Sequence, residues 1–334
     1  IDLKHRPAIL IGTPGRVADR IRRDNFSLNE IHTLVLDEFD KSLEVGFEAE
    51  MTEIVEAMPR VKQRILTSAT SDVGIPKFVG LQRPVFINYL REGTSQLTIK
   101  TILTSEKDKL QSLKKALAFI GHQPGIVFCN FKEALERVSV FLTENIIHHE
   151  RFHGGMEQVD RERALVKFRN GTCQLLLATD LASRGLDIPE IRFILHYHLP
   201  PSEKEFTHRN GRTARMNRDG VAYILHYKDE KLPEYIQEIV SESLQIEELQ
   251  EATISPPIKW KTLYITGGRR DKISKGDIAG LFLKQGQINK DQLGIIEVKQ
   301  DNTYVAVHEE IADLVIERTN NNKLKTKKVR VSGI

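Results

Sequence analysis

Short apolar runs alternate with segments of helical periodicity through the first 250 residues of this chain. Thr33–Leu36 and Leu175–Ala178 are typical apolar runs, and residues 108–120 place apolar side chains at positions 110, 113, 117 and 120, on one helical face. Further strands are predicted at residues 8–11, 65–67, 96–103, 126–128, 193–197 and 221–225, and further helices before residue 21 and at residues 132–142 and 157–168. The alternation indicates an α/β fold with parallel sheets that carry helices on both faces. Ligands of such sheets bind beyond the carboxyl ends of the strands, where Asp37, Ser68 and Thr179 fall.

The alternating pattern breaks at two places, which predict domain boundaries. One lies at residues 88–95, around Arg91-Glu92-Gly93, and the other at Ser255-Pro256-Pro257, whose prolines favour an extended linker. A chain of 334 residues has room for two or three hydrophobic cores. The predicted domains are residues 1–92, 93–252 and 253–334.

The segment after the second break has its own order of elements. Strands at residues 262–266, 295–299, 304–307 and 328–331 enclose helices at residues 274–284 and 311–318. This βαββαβ order is typical of an RRM-like α+β domain. Tyr264 and Tyr304 lie on its two central strands, where a ring can stack a base, although ordinary sheet packing is an equally good interpretation of either one. The second stacking position of the third strand is not aromatic, so base stacking on the sheet is expected to be reduced. The basic loop with Arg269, Arg270 and Lys272 is then expected to contribute more to RNA binding.

The positive charge of the chain is concentrated in this last segment. Of 49 basic and 46 acidic residues in the chain, 15 and 9 lie between residues 258 and 334, so this segment carries a net charge of +6 and the remainder −3. A small basic domain on a nearly neutral body suggests a module for a polyanion, and a solvated basic surface without a partner is the alternative.

No apolar run is long enough to span a bilayer, and the first residues do not form a signal peptide. These features favour a cytoplasmic protein. In a reducing cytosol, Cys129 and Cys173 are expected to be buried free thiols rather than a disulfide or a metal site.

Three ordered motifs predict an NTP-driven motor. Asp37-Glu38 closes an apolar run, which suits a Mg²⁺ ion and an attacking water, and Arg212 and Arg215 suit the negative charge of a transferring phosphoryl group. Ser68-Ala69-Thr70 lies between them. Each motif alone is weak, because surface arginines are common and hydroxyl groups also cap helices.

These motifs, in this order, make the first 250 residues resemble a DEAD-box RNA helicase. The segments that carry the resemblance are Thr13-Pro14-Gly15-Arg16, Asp37-Glu38-Phe39-Asp40, Ser68-Ala69-Thr70, Gln158-Val159-Asp160-Arg161, Ala178-Thr179-Asp180, Arg184-Gly185-Leu186-Asp187 and His208 to Arg215. Residues from Thr262 onward, with Leu263-Tyr264-Ile265-Thr266-Gly267-Gly268 and Tyr304-Val305-Ala306-Val307, resemble the RNA-binding domain of the bacterial DbpA subfamily. The resemblance implies tandem recA-like domains, the first incomplete, followed by the RRM-like domain.

The resemblance also implies roles for individual residues, with ATP and Mg²⁺ as cofactors. Asp37 would hold Mg²⁺ mainly through water, Glu38 would activate the attacking water, and Asp187 would bind the ribose. Arg212 and Arg215 would reach the γ-phosphate. The coupling residues would be Asp40, Ser68, Thr70, His208 and Arg209. The RNA contacts would be Thr13, Pro14, Gly15, Arg16, Gln158, Arg161, Thr179, Asp180, Arg184 and Gly185, with Tyr264, Arg269, Arg270, Lys272 and Tyr304 on the tail, and the RNA would be a structured ribosomal hairpin in large-subunit assembly.

Several features depart from the family pattern. Phe39 stands where alanine is usual, and Asn210 and Ala214 replace the usual isoleucine and glycine. No GxxxxGK[ST] phosphate-binding loop occurs in these residues, which predicts that the chain is truncated and does not hydrolyse ATP by itself. A non-catalytic RNA-binding or annealing protein is therefore an alternative, and a DNA helicase of the same superfamily is a weaker one that the RRM-like tail disfavours.

Overall fold

The computed structural model divides into two compact units, residues 1–93 and 94–334. It describes residues 7–23, 27–44, 46–68, 74–88, 97–180, 191–213, 219–250 and 260–334. No helix in these ranges is both long and apolar enough to cross a membrane.

The first unit contains a pair of parallel strands with helices around it. Its elements are α1 (Pro14–Arg22), β1 (Thr33–Leu36), α2 (Phe39–Glu44), α3 (Glu48–Glu56) and β2 (Gln63–Leu66). Pro14 occupies the first turn of α1, where its missing N–H costs no helical hydrogen bond. Ala18, Leu28, Ile54 and Met58 form the buried core of this unit.

The second unit begins with a seven-stranded sheet in which every described strand pair is parallel. Its strands are β3 (Leu97–Thr104), β4 (Gly125–Phe128), β5 (Glu150–Phe152), β6 (Leu175–Ala178), β7 (Phe193–His196), β8 (Gly220–Tyr227) and β9 (Glu242–Gln245). Its helices are α4 (Leu110–Ile120), α5 (Lys132–Glu144), α6 (Gln158–Arg169), α7 (Glu203–Asn210) and α8 (Glu234–Gln237). The strand order is β5-β6-β4-β7-β8-β3-β9, so the fully buried strands β6, β4 and β7 are neighbours inside the sheet. Burial on both faces explains why these strands read as unbroken apolar runs.

The tail of the second unit is a separate antiparallel sheet with two helices. Its elements are β10 (Trp260–Ile265), α9 (Lys275–Gly280), β11 (Leu293–Val298), β12 (Thr303–His308), α10 (Ala312–Thr319), the short hairpin of β13 (Lys323–Leu324) and β14 (Lys327–Lys328), and β15 (Val331–Gly333). The sheet order is β11-β12-β10-β15, which confirms the βαββαβ prediction, and α9 continues as a π-helical turn over Leu281–Gln285. Leu263, Ile265, Val305 and Val307 point from the two central strands into a core with both helices.

The structure corrects three details of the sequence-based elements. Residues 8–11 form no strand, although a strand was expected there. The edge strands β5 and β9 were not predicted, and the final strand of the tail begins at Val331 rather than at residue 328. The predicted free thiols are confirmed, because Cys129 and Cys173 are both unpaired and buried, and burial raises the pKa of each thiol to about 12.

Candidate nucleotide and RNA sites

In the first unit, the acidic pair Asp37-Glu38 lies directly after β1, at the carboxyl end of the strand. The Thr67 hydroxyl, which follows the neighbouring strand β2, donates to Asp37 Oδ1. The Glu38 backbone N–H lies 3.1 Å from Asp37 Oδ1 and 3.3 Å from Thr67 Oγ1. One carboxylate oxygen of Asp37 is thus oriented by the protein, while the side chain remains exposed to solvent.

Thr67 is a site residue that the sequence reasoning missed. Its backbone N–H donates to the Leu36 carbonyl at 3.0 Å, and its own carbonyl accepts from the Phe39 N–H at 3.1 Å. These bonds fix the turn at the acidic pair, in which Glu38 has the left-handed φ of 47°. Its position directly before the Ser68-Ala69-Thr70 motif was the only sequence signal that could have indicated it.

Phe39, the unusual residue of this motif, begins α2 and is 3% exposed, so its ring is accommodated in the protein interior rather than on the surface. Asp40 is also buried. Ser68 is exposed at the end of β2, and Thr70 lies outside the described residues. Thr13, the N-cap of α1, and Arg16 in its first turn are exposed.

In the second unit, the residues of the arginine motif lie on and after α7. The Ser202 side chain caps this helix by accepting from the Glu205 N–H at 3.2 Å. Arg212 follows the helix and is partly exposed, and its backbone N–H donates to the Arg209 carbonyl at 3.1 Å. His208 is partly exposed on the helix. Arg184, Gly185, Asp187 and Arg215 lie outside the described residues.

Asn210 departs from the family pattern, and the structure gives it a partner. Its side-chain oxygen lies 3.0 Å from Nε2 of His196, which is fully buried at the end of β7. Burial, reinforced by the charge of Arg209, lowers the pKa of His196 to about 3. The imidazole is therefore neutral, so its Nε2–H can donate to the amide oxygen that an isoleucine would lack.

Thr179 and Asp180 follow β6, and the structure brings Asp180 together with the arginine motif. Nε and Nη2 of Arg209 donate to the two carboxylate oxygens of Asp180 at 2.5 and 2.6 Å. Arg209 is 1% exposed. The described hydrogen-bond partners of Arg209 all belong to its own domain.

Gln158 and Arg161 lie on the first turn of α6, and Arg161 Nη2 donates to Gln158 Oε1 at 2.5 Å. Gln158 is exposed and Arg161 is partly exposed. The following turns of α6 contact the RRM-like tail, which the sequence did not predict.

The last turn of α6 and the loop after it pack against the outer face of the tail sheet. Thr262 on β10 is fully buried there, with its hydroxyl 2.7 Å from the Thr172 hydroxyl and 3.3 Å from the Asn170 amide nitrogen. Gly171, with φ of +74°, lies so close to the Trp260 ring that an added Cβ would stand 3.3 Å from it. A glycine suits both the positive φ and the contact.

Ion pairs surround this contact between α6 and the tail sheet. Arg169 binds Glu297 on β11 with nitrogen–oxygen distances of 3.0 and 3.1 Å, and the two side chains are only 25% and 17% exposed. Lys299 bridges Glu162 on α6, at 2.9 Å, and Glu297, at 3.3 Å. Such partly shielded pairs are less screened by salt than surface pairs are.

The contact changes the interpretation of the two sheet tyrosines. Tyr304 is 1% exposed, and burial raises the pKa of its hydroxyl. Tyr264 is partly exposed and packs edge-on to Tyr304, with ring centroids 5.6 Å apart. The structure therefore leaves no open ring face on Tyr304 for a base, contrary to the stacking expected from sequence, because α6 covers this part of the sheet.

The basic loop of the tail lies outside the contact with α6. Arg269, Arg270 and Lys272 are exposed, and Arg270 forms an exposed ion pair of 2.8 Å with Asp301. The Asp271 carboxylate accepts from Lys327 of the β13–β14 hairpin at 2.8 Å, which joins the loop to a second basic segment.

Two parallel α/β units, an acidic pair at a strand end, an arginine motif and an RRM-like tail define a class, that of nucleotide-driven motors that act on RNA. Comparison with known proteins agrees. The DEAD/DEAH box helicase family matches residues 1–76, the Helicase conserved C-terminal domain matches residues 108–217, and the DbpA RNA binding domain matches residues 262–332.

Two bacterial relatives cover nearly the whole chain. The ATP-dependent RNA helicase DbpA of Escherichia coli (strain K12) is 32% identical over 342 residues, which are 98% of this chain and 73% of that protein. The protein of the same name from Bacillus subtilis (strain 168) is 28% identical over 360 residues, or 99% of this chain and 75% of that protein. Saccharomyces cerevisiae Dbp5 bound to RNA and ADP BeF3 is a structural neighbour with a TM-score of 0.61 and 22% identity over 71% of this chain and 66% of that one, a likeness that concerns the fold.

The chain belongs to the DEAD-box family of ATP-dependent RNA helicases, in its DbpA subfamily. The predictions of recA-like and RRM-like folds, of a helicase that uses ATP and of RNA as the ligand are confirmed.

Proposed function

We propose that Glu38 activates the water that attacks the γ-phosphate of ATP, and that Asp37 holds the accompanying Mg²⁺. The observation that carries this proposal is the turn after β1, where Thr67 and the Glu38 N–H both bond Asp37 Oδ1. These bonds hold the Asp37 carboxylate in a fixed orientation. The neighbouring Glu38 side chain is exposed to solvent at the edge of the sheet where ligands bind. Positioning of this kind supplies most of the catalysis in phosphoryl transfer.

The residues at this turn fit a Mg²⁺ ion that is held mainly through water. Asp37 is exposed, one of its oxygens is engaged by the protein, and no cluster of three or more His, Cys, Asp or Glu side chains that could hold a metal occurs among the described residues. Mg²⁺ keeps several waters and is commonly bound by one or two carboxylates together with substrate phosphates, which matches a single carboxylate at an open site. When bound, the ion would neutralise phosphate charge, and Asp37 would orient its water shell.

The remaining nucleotide contacts would come from the second recA-like domain. Arg212 and Arg215 would offset the charge that develops on the transferring phosphoryl group, and Asp187 would bind the ribose. Arg212 is partly exposed and lies directly after the carboxyl end of α7. Asp40, Ser68, Thr70, His208 and Arg209 would couple nucleotide binding to RNA binding.

For the RNA, we propose a structured ribosomal hairpin that is bound by the tail in the cytoplasm. Support comes from the net charge of +6 between residues 258 and 334 and from the match to the DbpA RNA binding domain. Thr13 to Arg16, Gln158, Arg161, Thr179, Asp180, Arg184 and Gly185 would contact the backbone of the unwound strand.

The basic loop and the β13–β14 hairpin form the best-supported contact surface of the tail. Lys323 lies directly opposite Lys328 in the hairpin, and both side chains are exposed. Like charges opposite each other in a ladder disfavour the hairpin, so an RNA phosphate between them would relieve a repulsion as well as form an attraction. Arg269, Arg270 and Lys272 would extend this surface, while partly exposed Tyr264 is the stacking position that remains open on the sheet.

The catalytic proposal is tested in the complete gene product by Glu38→Gln. The amide keeps the shape of the side chain and loses the base, so RNA-stimulated ATP turnover should fall by about 10²-fold or more, while ATP and RNA still bind. Steady-state ATPase assays and fluorescence titrations with labelled nucleotide and RNA measure these quantities separately.

Glu50→Gln is the matched control, because Glu50 is an acid on α3 of the same unit and not part of the motif. It should leave turnover unchanged. A Glu38→Gln enzyme with near-normal turnover would show that Glu38 is not the base. Absence of RNA-stimulated turnover in the unaltered complete gene product would support the alternative, a non-catalytic RNA-binding or annealing protein.

A further inference from the structure

A groove with a volume of about 880 Å³ lies between the second recA-like domain and the tail. One wall consists of the start of α5, the edge strand β5, the loop after it and the first turns of α6. The other wall consists of Tyr264 on β10 and of residues 332–334, at the edge strand β15. Pockets that enclose small ligands commonly measure roughly 300–1,000 Å³, so this groove has room for a ligand of nucleotide size.

The charges on the walls of the groove balance. Four Lys or Arg and four Asp or Glu side chains line it. Three of the basic side chains are engaged in ion pairs, which are Arg151–Glu136 at 2.6 Å, Lys167–Glu150 at 2.8 Å and Arg163–Asp160 at 3.6 Å. Walls with many donors and acceptors but no net charge suit a neutral nucleobase, whose edge carries both kinds of group, better than a row of phosphates.

Lys132 is the exception among the basic side chains of the groove, because it has no ion pair within the described part of the chain. Its Nζ stands 3.0 Å from the point that a Cβ on Gly155 would occupy, so the lysine passes close to the loop after β5 because that position has no side chain. Both residues are exposed. An unpaired ammonium acts as a point charge and can bind a single phosphate.

Tyr264 supplies an aromatic ring on the opposite wall. Its side chain is only partly buried, whereas Tyr304 beside it is 1% exposed. An aromatic side chain in a groove of this size can stack a nucleobase, and such stacking tolerates any base because each has a π-face. The groove therefore has one site for a phosphate, at Lys132, and one for a base, at Tyr264.

The groove also adjoins a segment that is expected to contact RNA. Glu157 and Asp160, which line it, immediately precede Gln158 and Arg161 on α6. On the tail side, the groove ends at β15, which follows the basic β13–β14 hairpin in the chain. An RNA strand that passes from the helicase motifs to the tail would thus cross this groove.

We propose that the groove binds an unpaired nucleotide of the RNA, next to the hairpin that the tail holds, with its base against Tyr264 and its phosphate at Lys132. The site is shared, because Lys132 belongs to the second recA-like domain and Tyr264 to the tail. The inference rests on the proposed function, since it takes RNA as the ligand of both parts. It adds that the preferred RNA carries a single-stranded nucleotide beside the hairpin.

The test measures the affinity of the complete gene product, without nucleotide, for three forms of one ribosomal hairpin. The first is blunt, the second has a short single-stranded extension on its 5′ or its 3′ side, and the third has the same extension with abasic residues. An extension on one side should raise the affinity about tenfold, as expected for one stacked base, and the abasic extension should lose most of this gain.

Two variants in the tail test the base contact. Tyr264→Leu should abolish the gain from the extension and leave the affinity for the blunt hairpin unchanged, because the stacking ring is lost. Tyr264→Phe keeps the ring and should keep the gain. Thermal unfolding measured in parallel shows whether each variant is folded.

Two variants in the recA-like domain test the phosphate contact. Lys132→Gln should lower the gain severalfold, and it should reduce the slope of log affinity against log salt for the extended hairpin by roughly 0.7, the value for one phosphate of a single strand. Tyr264→Leu should not change this slope. Lys114→Gln is the matched control, since Lys114 is exposed on the same domain and bonded to Asn145, and it should alter neither the gain nor the slope.

Three results would overturn the shared site. Equal affinity of the unaltered protein for the blunt and extended hairpins would show that the groove holds no nucleotide. A gain that survives Tyr264→Leu, or that the abasic extension retains in full, would place the extension on backbone contacts elsewhere. Equal weakening of the blunt and extended hairpins by Tyr264→Leu would assign the ring to the hairpin itself. Failure of the proposed function is distinguishable, because the unaltered protein would then not prefer the blunt hairpin to random RNA of the same length.

Discussion

At the scale of single residues, the hydroxyl of Thr67 gives a prediction about metal binding. Thr67→Val keeps the size of the side chain but removes the donor to Asp37 Oδ1, so the carboxylate should be less well oriented toward the water shell of Mg²⁺. Because both residues are exposed, the expected loss is modest, about 1 kcal/mol, or roughly a fivefold higher Mg²⁺ concentration for half-maximal ATPase in the complete gene product. Thr67→Ser retains the donor and should behave as the unaltered enzyme; an equal shift in both variants would show that the hydroxyl is not responsible.

The same residues show which site features a sequence can reveal. Asp37 and Glu38 were predicted because two acids after an apolar run are conspicuous, and the structure puts them at the end of β1. Thr67 was missed since a threonine has no distinctive pattern until the neighbouring strand brings its hydroxyl to Asp37. Arg209 was recognised in its motif, but only burial and the direction of its donors reveal that its described partners lie within its own domain.

At the scale of secondary-structure elements, the contact between α6 and the tail sheet should be sensitive to charge. Arg169→Glu would place a second carboxylate against Glu297 at a site with little solvent to screen the repulsion, so the contact should weaken. Trp260, the only tryptophan of the chain, packs against Gly171 in this contact, and its fluorescence emission should shift to longer wavelength as water reaches the ring. Arg137→Glu makes the same charge change in a pair with Asp108 that is more than half exposed, and should leave the emission unchanged. Unaltered Trp260 emission in Arg169→Glu would mean that the ion pair does not hold the contact.

Element prediction succeeded where burial leaves a strong pattern and failed at the sheet edges. β6 and β1 have the bounds expected from their apolar runs. β5 and β9 are the two edge strands, and they contain polar side chains that face solvent, so they lack the apolar run by which the inner strands were found. The packing of α6 on the tail could not be predicted, because it depends on the match of Thr262, Trp260 and Gly171 across segments that are distant in sequence.

At the scale of the whole molecule, the change in sign of the net charge predicted a basic tail, and the resemblance of the motifs to those of a DEAD-box helicase implied the two recA-like parts before it. The burial of one face of the tail sheet under α6 could not be predicted from the sequence. It alters the way in which RNA is expected to bind. With Tyr304 buried, phosphate contacts at the basic loop and the β13–β14 hairpin should provide most of the affinity of the tail, and Tyr264 should add to it only where a base reaches the open part of the sheet.

Two measurements on the complete gene product test whether the tail selects the RNA while the recA-like domains carry out ATP turnover and unwinding. Deletion of residues 258–334 should leave basal ATPase and non-specific unwinding largely intact, because the helicase motifs contact the RNA backbone, and should abolish the preference for a ribosomal hairpin over random RNA of the same length.

In the undeleted protein, Lys328→Ala should weaken hairpin binding and reduce the slope of log affinity against log salt by roughly one, since one phosphate contact no longer releases its counterion. Lys114→Ala is a matched control, as Lys114 is exposed on the second recA-like domain and bonded to Asn145, and it should change neither quantity. A deleted enzyme that still discriminates between the two RNAs would place recognition in the recA-like domains, and an unchanged salt slope in Lys328→Ala would exclude the β13–β14 hairpin from the contact.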